Sequence, residues 1–123
     1  MSHTTKRWYS TIRKANCCKN NLVYVLTCKI CKEQYVGETK RELKKRIGEH
    51  ALDIKKYPHK DHDTPVAKHF HKHRKMIRPF TIHIIGYVKG HPDSDLSKKL
   101  RLELEGHYIN QLQTREPLGM NVD

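Results

Sequence analysis

Residues 22–50, LVYVLTCKICKEQYVGETKRELKKRIGEH, decide the fold. Leu22 to Thr27 and Gln34 to Gly37 are rich in β-branched and aromatic residues, which suit a pleated, half-buried surface, so each is expected as a short strand. Side chains alternate along a strand, which puts Tyr24 and Leu26 on one face and Val23 and Val25 on the other. Cys28 and Cys31 fall where the chain must reverse. Gly37 closes the second strand, and Thr39 with Glu42 three residues later has the spacing of a capping box, so a helix is expected to begin there. Leu43, Ile47 and Ile54 recur at helical spacing as its core face, while Arg46 and His50, four apart, share a second face. Local structure alone therefore gathers two tyrosines, an arginine and a histidine.

The 123-residue chain carries 25 Lys and Arg against 13 Asp and Glu, a formal charge of +12 before its ten histidines are counted. Such an excess suits a polyanion, nucleic acid above all. Only 36% of the residues are hydrophobic, so the core is expected to be thin and a metal staple would help it. No stretch approaches the roughly 20 apolar residues of a spanning helix, which argues against a membrane protein. MSHTTKRWYS has no apolar segment behind its charges, so it is not read as a signal peptide. Residues 1–21 form a basic arm with Trp8, Tyr9 and Ile12 as its anchors, and a single domain is expected over 22–123. Adjacent Cys17 and Cys18 are poorly arranged to share one metal, and the arm is expected to touch nucleic acid or a neighbouring domain.

Beyond the first helix, residues 57–63 (YPHKDHD) read as a polar loop. Thr64 then Pro65 is a helix start, a hydroxyl cap followed by the residue whose missing N–H costs nothing there. Val66, Ala67 and Phe70 supply its apolar side, His69 and His73 share a face at i, i+4, and the basic run through Arg78 ends it before Pro79. Phe80 to Val88 is expected as a strand with Gly86 at a bend or close approach. A last helix, capped by Asp93 or Ser94, runs from about Asp95 to Gln113. Leu96, Leu100, Leu104, Tyr108 and Leu112 mark its expected buried stripe, with Arg101, Glu105 and Ile109 on the adjoining one. The order β-β-α-α-β-α is that of an α+β fold, a small antiparallel sheet flanked by helices.

Two constellations carry chemistry. Cys28-x2-Cys31 with His69-x3-His73 has the ligand spacings of a closed tetrahedral zinc site. Unligated thiols are the alternative, and a redox role is disfavoured because Cys28 sits in a hairpin and not at a helix N-terminus. The second set is Tyr24, Tyr35, Arg46, His50 and Glu105. Phosphodiester hydrolysis needs a positioned water, a base for its proton and a cation for the phosphate. The guanidinium fork matches phosphate, and one carboxylate is enough to hold Mg²⁺ that keeps most of its waters. Each residue also has a structural reading: strand tyrosines pack, and Glu105 can pair with Arg101 one turn earlier.

Leu22-Val23-Tyr24 and Tyr35-Val36-Gly37 on paired strands, then Arg46 and His50 on the next helix, resemble the signature of GIY-YIG nucleases. The two cysteines between the triplets, the histidine pair after the first helix and the ending LELEGHYINQLQTREPLGMNVD together resemble the endonuclease domain of Penelope-like retroelements. That resemblance implies a DNA-nicking enzyme with a catalytic Mg²⁺ or Mn²⁺ on Glu105 and a structural Zn²⁺ on Cys28, Cys31, His69 and His73. It implies Tyr24 as base or water positioner, Tyr35 in support, Arg46 on the phosphate, His50 as proton relay and Asn121 completing the site. It further implies target-primed reverse transcription, a reverse transcriptase domain in the same polypeptide with its RNA, and work in the nucleus. The competing reading is a zinc-stabilised nucleic-acid-binding module without cleavage.

Overall fold

The computed structural model describes residues 19–73 and 79–122. Trp8, Tyr9, Ile12, Cys17 and Cys18 of the arm, and the basic run through Arg78, lie outside the described residues. The elements are β1 (Leu22–Cys28), β2 (Gln34–Thr39), α1 (Leu43–Lys56), α2 (Pro65–Phe70), β3 (Phe80–Tyr87) and α3 (Asp95–Leu112), with 3₁₀ turns at Lys60–His62 and His71–His73. This is the β-β-α-α-β-α order that the sequence implies.

The sheet is antiparallel throughout, in the order β2-β1-β3. Because β1 is central, both its faces are covered. Leu22, Tyr24, Leu26 and Cys28 pack against Leu43, Ile47 and Ile54 of α1 and Val66 and Phe70 of α2. Val23 and Val25, with Val36 of β2, pack against Ile109 of α3, joined by Leu104 and Tyr108. The alternation along β1 thus sorts the chain into two layers, with α1 and α2 on one face and α3 on the other. Gly86 permits the second contact, since a Cβ there would stand 2.7 Å from a methyl of Leu104.

The start of α1 differs from the capping-box expectation. Thr39 stays in the sheet opposite Leu22, and its hydroxyl accepts from the Arg41 backbone N–H (3.1 Å). A residue still paired in a strand cannot cap a helix that begins four residues later. Glu42 occupies the N-cap position without a side-chain bond, and the Leu43 N–H donates instead to the Lys19 carbonyl (2.9 Å). His50 also leaves its expected face, being buried in one stripe with Leu43, Ile47 and Ile54.

The buried stripe of α3 is the adjoining one. Ser97, Arg101 and Ile109 are buried, while Leu96, Leu100 and Leu112 are exposed. Only Leu104 and Tyr108 of the expected stripe pack on the sheet. Arg101 explains the rotation: its Nε donates to Glu38 (2.7 Å), and its Nη1 donates to the buried Asn21 side chain (2.7 Å) and to the Pro92 carbonyl (2.9 Å). Leaving those polar groups unpaired costs more than exposing the ends of a leucine row. Ser94 caps this helix by accepting from the Ser97 N–H.

The tail after α3 folds back along the free edge of β2. The Met120 N–H donates to the Gln34 carbonyl (2.9 Å), and the Asn121 side chain takes the place of a neighbouring strand for Val36. Asn121 Oδ1 accepts from the Val36 N–H (2.8 Å), and Nδ2 donates to the Val36 carbonyl (3.0 Å). Asn121→Ala leaves both buried backbone groups unpaired, each worth about 1–3 kcal/mol. The variant should melt several degrees below the wild type in a thermal denaturation followed by circular dichroism.

Candidate active site

β1 and β2 hold the two tyrosines on the face that α1 covers, and α1 brings Arg46 and His50 over them. Tyr24 is fully buried, and its hydroxyl lies 2.7 Å from Nε2 of the equally buried His50. Tyr35 also meets the His50 ring edge-on, with centroids 5.9 Å apart. Gly37 lies opposite Tyr24 in the strand register. A Cβ on Gly37 would stand 2.5 Å from the Tyr24 hydroxyl oxygen and 2.9 Å from the Tyr35 ring. The glycine of the second triplet is therefore what lets both phenols lie flat across β2.

Burial raises the pKa of both phenols, and Arg46 beside them acts in the opposite direction. For Arg46 itself burial acts downward, but the net shift is upward, with the hydrogen bond to Glu49 contributing, so the guanidinium stays charged. Its orientation is set by Glu49, which accepts from Arg46 Nη1 (2.9 Å) and also pairs with Arg41 (2.5 Å). Burial, and then the Arg46 charge, lower the His50 pKa to about 3, so the imidazole is neutral and bonded to Tyr24. Its Nδ1 is buried without a hydrogen-bond partner.

Glu105 reaches the site from α3, in the other layer. Burial and the nearby Glu38 raise its pKa to about 7, against the pull of Arg46. The expected alternative partner, Arg101, is engaged by Glu38, Asn21 and Pro92, and among the described residues Glu105 forms no ion pair, its carboxyl standing near the phenols and Arg46. That is a fit for one hydrated divalent cation, which needs few protein ligands. Asn121 stands behind β2, with its amide engaged by Val36 and its Oδ1 also accepting from the Thr114 hydroxyl (2.6 Å). Its observed contacts are those of a clamp on the strand that carries Tyr35. Glu38 and Glu49 are contributors that the sequence reading did not single out, and Arg101, expected as a partner of Glu105, pairs with Glu38 instead. Glu38 follows the Tyr-Val-Gly triplet and Glu49 lies one turn after Arg46, which were the available signals.

The thiols and imidazole form a second cluster. Ligand atoms of Cys28, Cys31 and His69 lie within 4.8 Å of one another, with Cys31 Sγ 3.4 Å from His69 Nε2. His73 is not in that cluster. α2 ends at Phe70 and the chain tightens into a 3₁₀ turn, so the residue at i+4 is rotated off the face that a continuous α-helix would share. The His69 and His73 rings still lie 6.4 Å apart, and His73 Nε2 is buried without a hydrogen-bond partner. Two soft sulfur donors and an imidazole suit Zn²⁺.

A family model described as the GIY-YIG catalytic domain matches residues 20–118. The chain belongs to the GIY-YIG family. It is accordingly a GIY-YIG endonuclease, a phosphodiester hydrolase whose substrate is DNA, in a family that generally uses divalent metals. No curated protein and no solved structure matches it. The matched span contains both tyrosines, Arg46, His50, Glu105 and the Cys/His cluster of this GIY-YIG domain, and stops short of Asn121.

The Glu105 shift has a sign that stability can read. Its folded pKa of about 7 lies above the ordinary 4.5, so the ionised carboxylate opposes folding. That penalty is absent below about pH 4.5 and complete above about pH 7. Without added metal, Glu105→Gln should melt above the wild type at pH 8 and together with it at pH 4. Coincident melting at both pH values would mean a well-solvated carboxylate.

Proposed function

We propose that this domain is a metal-dependent DNA nickase of the Penelope-like retroelement type, opening target DNA to expose a 3′-hydroxyl for reverse transcription. The observation that carries the nickase reading is the 2.7 Å bond between Tyr24 and a neutral, buried His50, placed beside Arg46 and the Glu105 carboxyl. With its pKa raised, Tyr24 holds no standing phenolate at neutral pH. A phenol bonded to a neutral imidazole can instead accept the proton of an attacking water while passing its own to His50 Nε2, so no isolated phenolate forms. Arg46 is the second cause of the low His50 basicity, and a bound phosphate would offset that charge. DNA binding therefore makes the relay easier. Arg46 would grip the scissile phosphate, and Tyr35 would hold the ring of His50 in place. Glu105 would hold Mg²⁺ or Mn²⁺, which supplies positive charge against the developing negative charge on phosphate and leaving oxygen.

The retroelement assignment is supported by the cysteine pair between the tyrosine triplets, the histidine pair after α1 and the order of residues through the tail. On that reading the domain works beside a reverse transcriptase in the same polypeptide, with its RNA, in the nucleus. Zn²⁺ on Cys28, Cys31, His69 and His73 would tie the β1–β2 hairpin to α2 and so brace the first layer.

The test is nicking of supercoiled plasmid with and without Mg²⁺ or Mn²⁺. Removal of one fixed donor to developing charge typically costs about 10²–10³ in rate. Arg46→Ala should nick at least about a hundredfold more slowly while its DNA dissociation constant moves less than about tenfold. Arg46→Lys should recover binding but little cleavage, because a point charge lacks the fork. Equal losses in binding and cleavage would reduce Arg46 to a backbone contact. For the structural site, elemental analysis should find one zinc per chain, and Cys28→Ser should lower both zinc content and melting temperature. A well-folded protein purified without zinc would refute that assignment.

A further inference from the structure

The exposed side of α1 presents Lys44 and Lys45 near its start and Lys55 and Lys56 at its end. Both acids of the helix are turned aside and paired, Glu49 with Arg41 and Arg46, Asp53 with His62 (2.9 Å). Between the two lysine pairs the face is open, since a Cβ on Gly48 would meet nothing within 4 Å. The end of α1 borders an open cavity of about 540 Å³, lined by Lys55, Lys56, His59, Lys60 and His62 with Asp61 among them. Three lysines against one aspartate make it cationic, and neither family membership nor the catalytic geometry accounts for it.

We propose that this cavity is a second DNA contact, holding a backbone phosphate of the substrate on one side of the cut; this rests on the nuclease reading of Arg46. Lysines act as mobile point charges without a fixed fork, which suits a contact that positions the duplex and reads no sequence. The helix sets the spacing. Arg46 and Lys56 are ten residues apart, so at 1.5 Å per residue the two contacts lie about 15 Å apart along α1. On this proposal α1 lies along the duplex axis, where a strand advances about 3.4 Å per base pair, so the second phosphate lies about four to five base pairs from the cut. The cavity would thus act as a ruler on one flank of the nick, a feature that the catalytic residues by themselves do not provide.

The experiment uses a Lys55/Lys56/Lys60→Ala variant, with Lys89/Lys98/Lys99→Ala as a control of equal charge loss at other exposed lysines. Dissociation constants are measured across a salt series, and nicking rates are measured in Mg²⁺, on duplexes trimmed base pair by base pair on either side of the cut. The cavity variant should lose about one unit of the log–log salt slope beyond the control, for the one phosphate contact removed, and bind a long duplex about tenfold more weakly. Its nicking rate at saturating DNA should stay that of the wild type, because no reacting atom is touched. Trimming one flank below about four base pairs should weaken wild-type binding and leave the cavity variant indifferent. A salt slope lowered no more than in the control, or wild-type binding insensitive to trimming on both flanks, overturns the proposal. If the wild type fails to nick but shows the flank-dependent and lysine-dependent binding, the nuclease reading falls and the contact stands.

Discussion

The hydrogen bond between Tyr24 and His50 sets the terms for the rest of the site, because both side chains are buried and it pairs the Tyr24 hydroxyl with His50 Nε2. Burying two polar rings is tolerable only with that bond in place. It constrains the backbone in turn: Tyr24 must lie flat over a residue without a side chain, which Gly37 supplies, and α1 must turn His50 inward with its leucine and isoleucines. The same burial keeps the imidazole neutral and the phenol protonated at ordinary pH. Those states leave no resting phenolate at Tyr24.

The charges of the site are distributed over two layers. Arg46, fixed by Glu49, belongs to the helix on one face of the sheet, whereas Glu105 belongs to the helix on the other. Arg101 sits one turn before Glu105, yet it bonds to Glu38 and Asn21. It thereby anchors α3 to β2 and leaves Glu105 as the acid with an elevated pKa. A buried arginine that serves the fold thus leaves Glu105 outside its hydrogen bonds. Asn121 performs a similar service on the outer edge of β2, closing a strand that would otherwise present unpaired backbone groups.

Much of this was legible from local pattern. Alternation in Leu22 to Thr27 assigned the two faces of β1 correctly, because the period of a strand is two regardless of what covers it. The six elements and their order followed from the same periodicities and from turn residues such as Pro65 and Pro79. Where the reading failed, a partner distant in sequence had won. Thr39 was held in the sheet by Leu22, so Lys19 and not a side chain serves the start of α1. The leucines of α3 lost the buried face to Arg101 because Asn21 and Glu38, some 80 and 63 positions away, needed its hydrogen bonds. His73 left the face of His69 because the helix tightens after Phe70.

The sequence by itself determined the elements, the convergence of Tyr24, Tyr35, Arg46 and His50, and the cationic character that suits DNA, since spacing and net charge do not depend on packing. Only the tertiary structure decided which side of α3 is buried, which acid Arg101 pairs with, and which imidazole faces the two cysteines. Those outcomes turn on pairing buried polar groups across the sheet, and a periodic pattern carries no information about partners that lie tens of residues away.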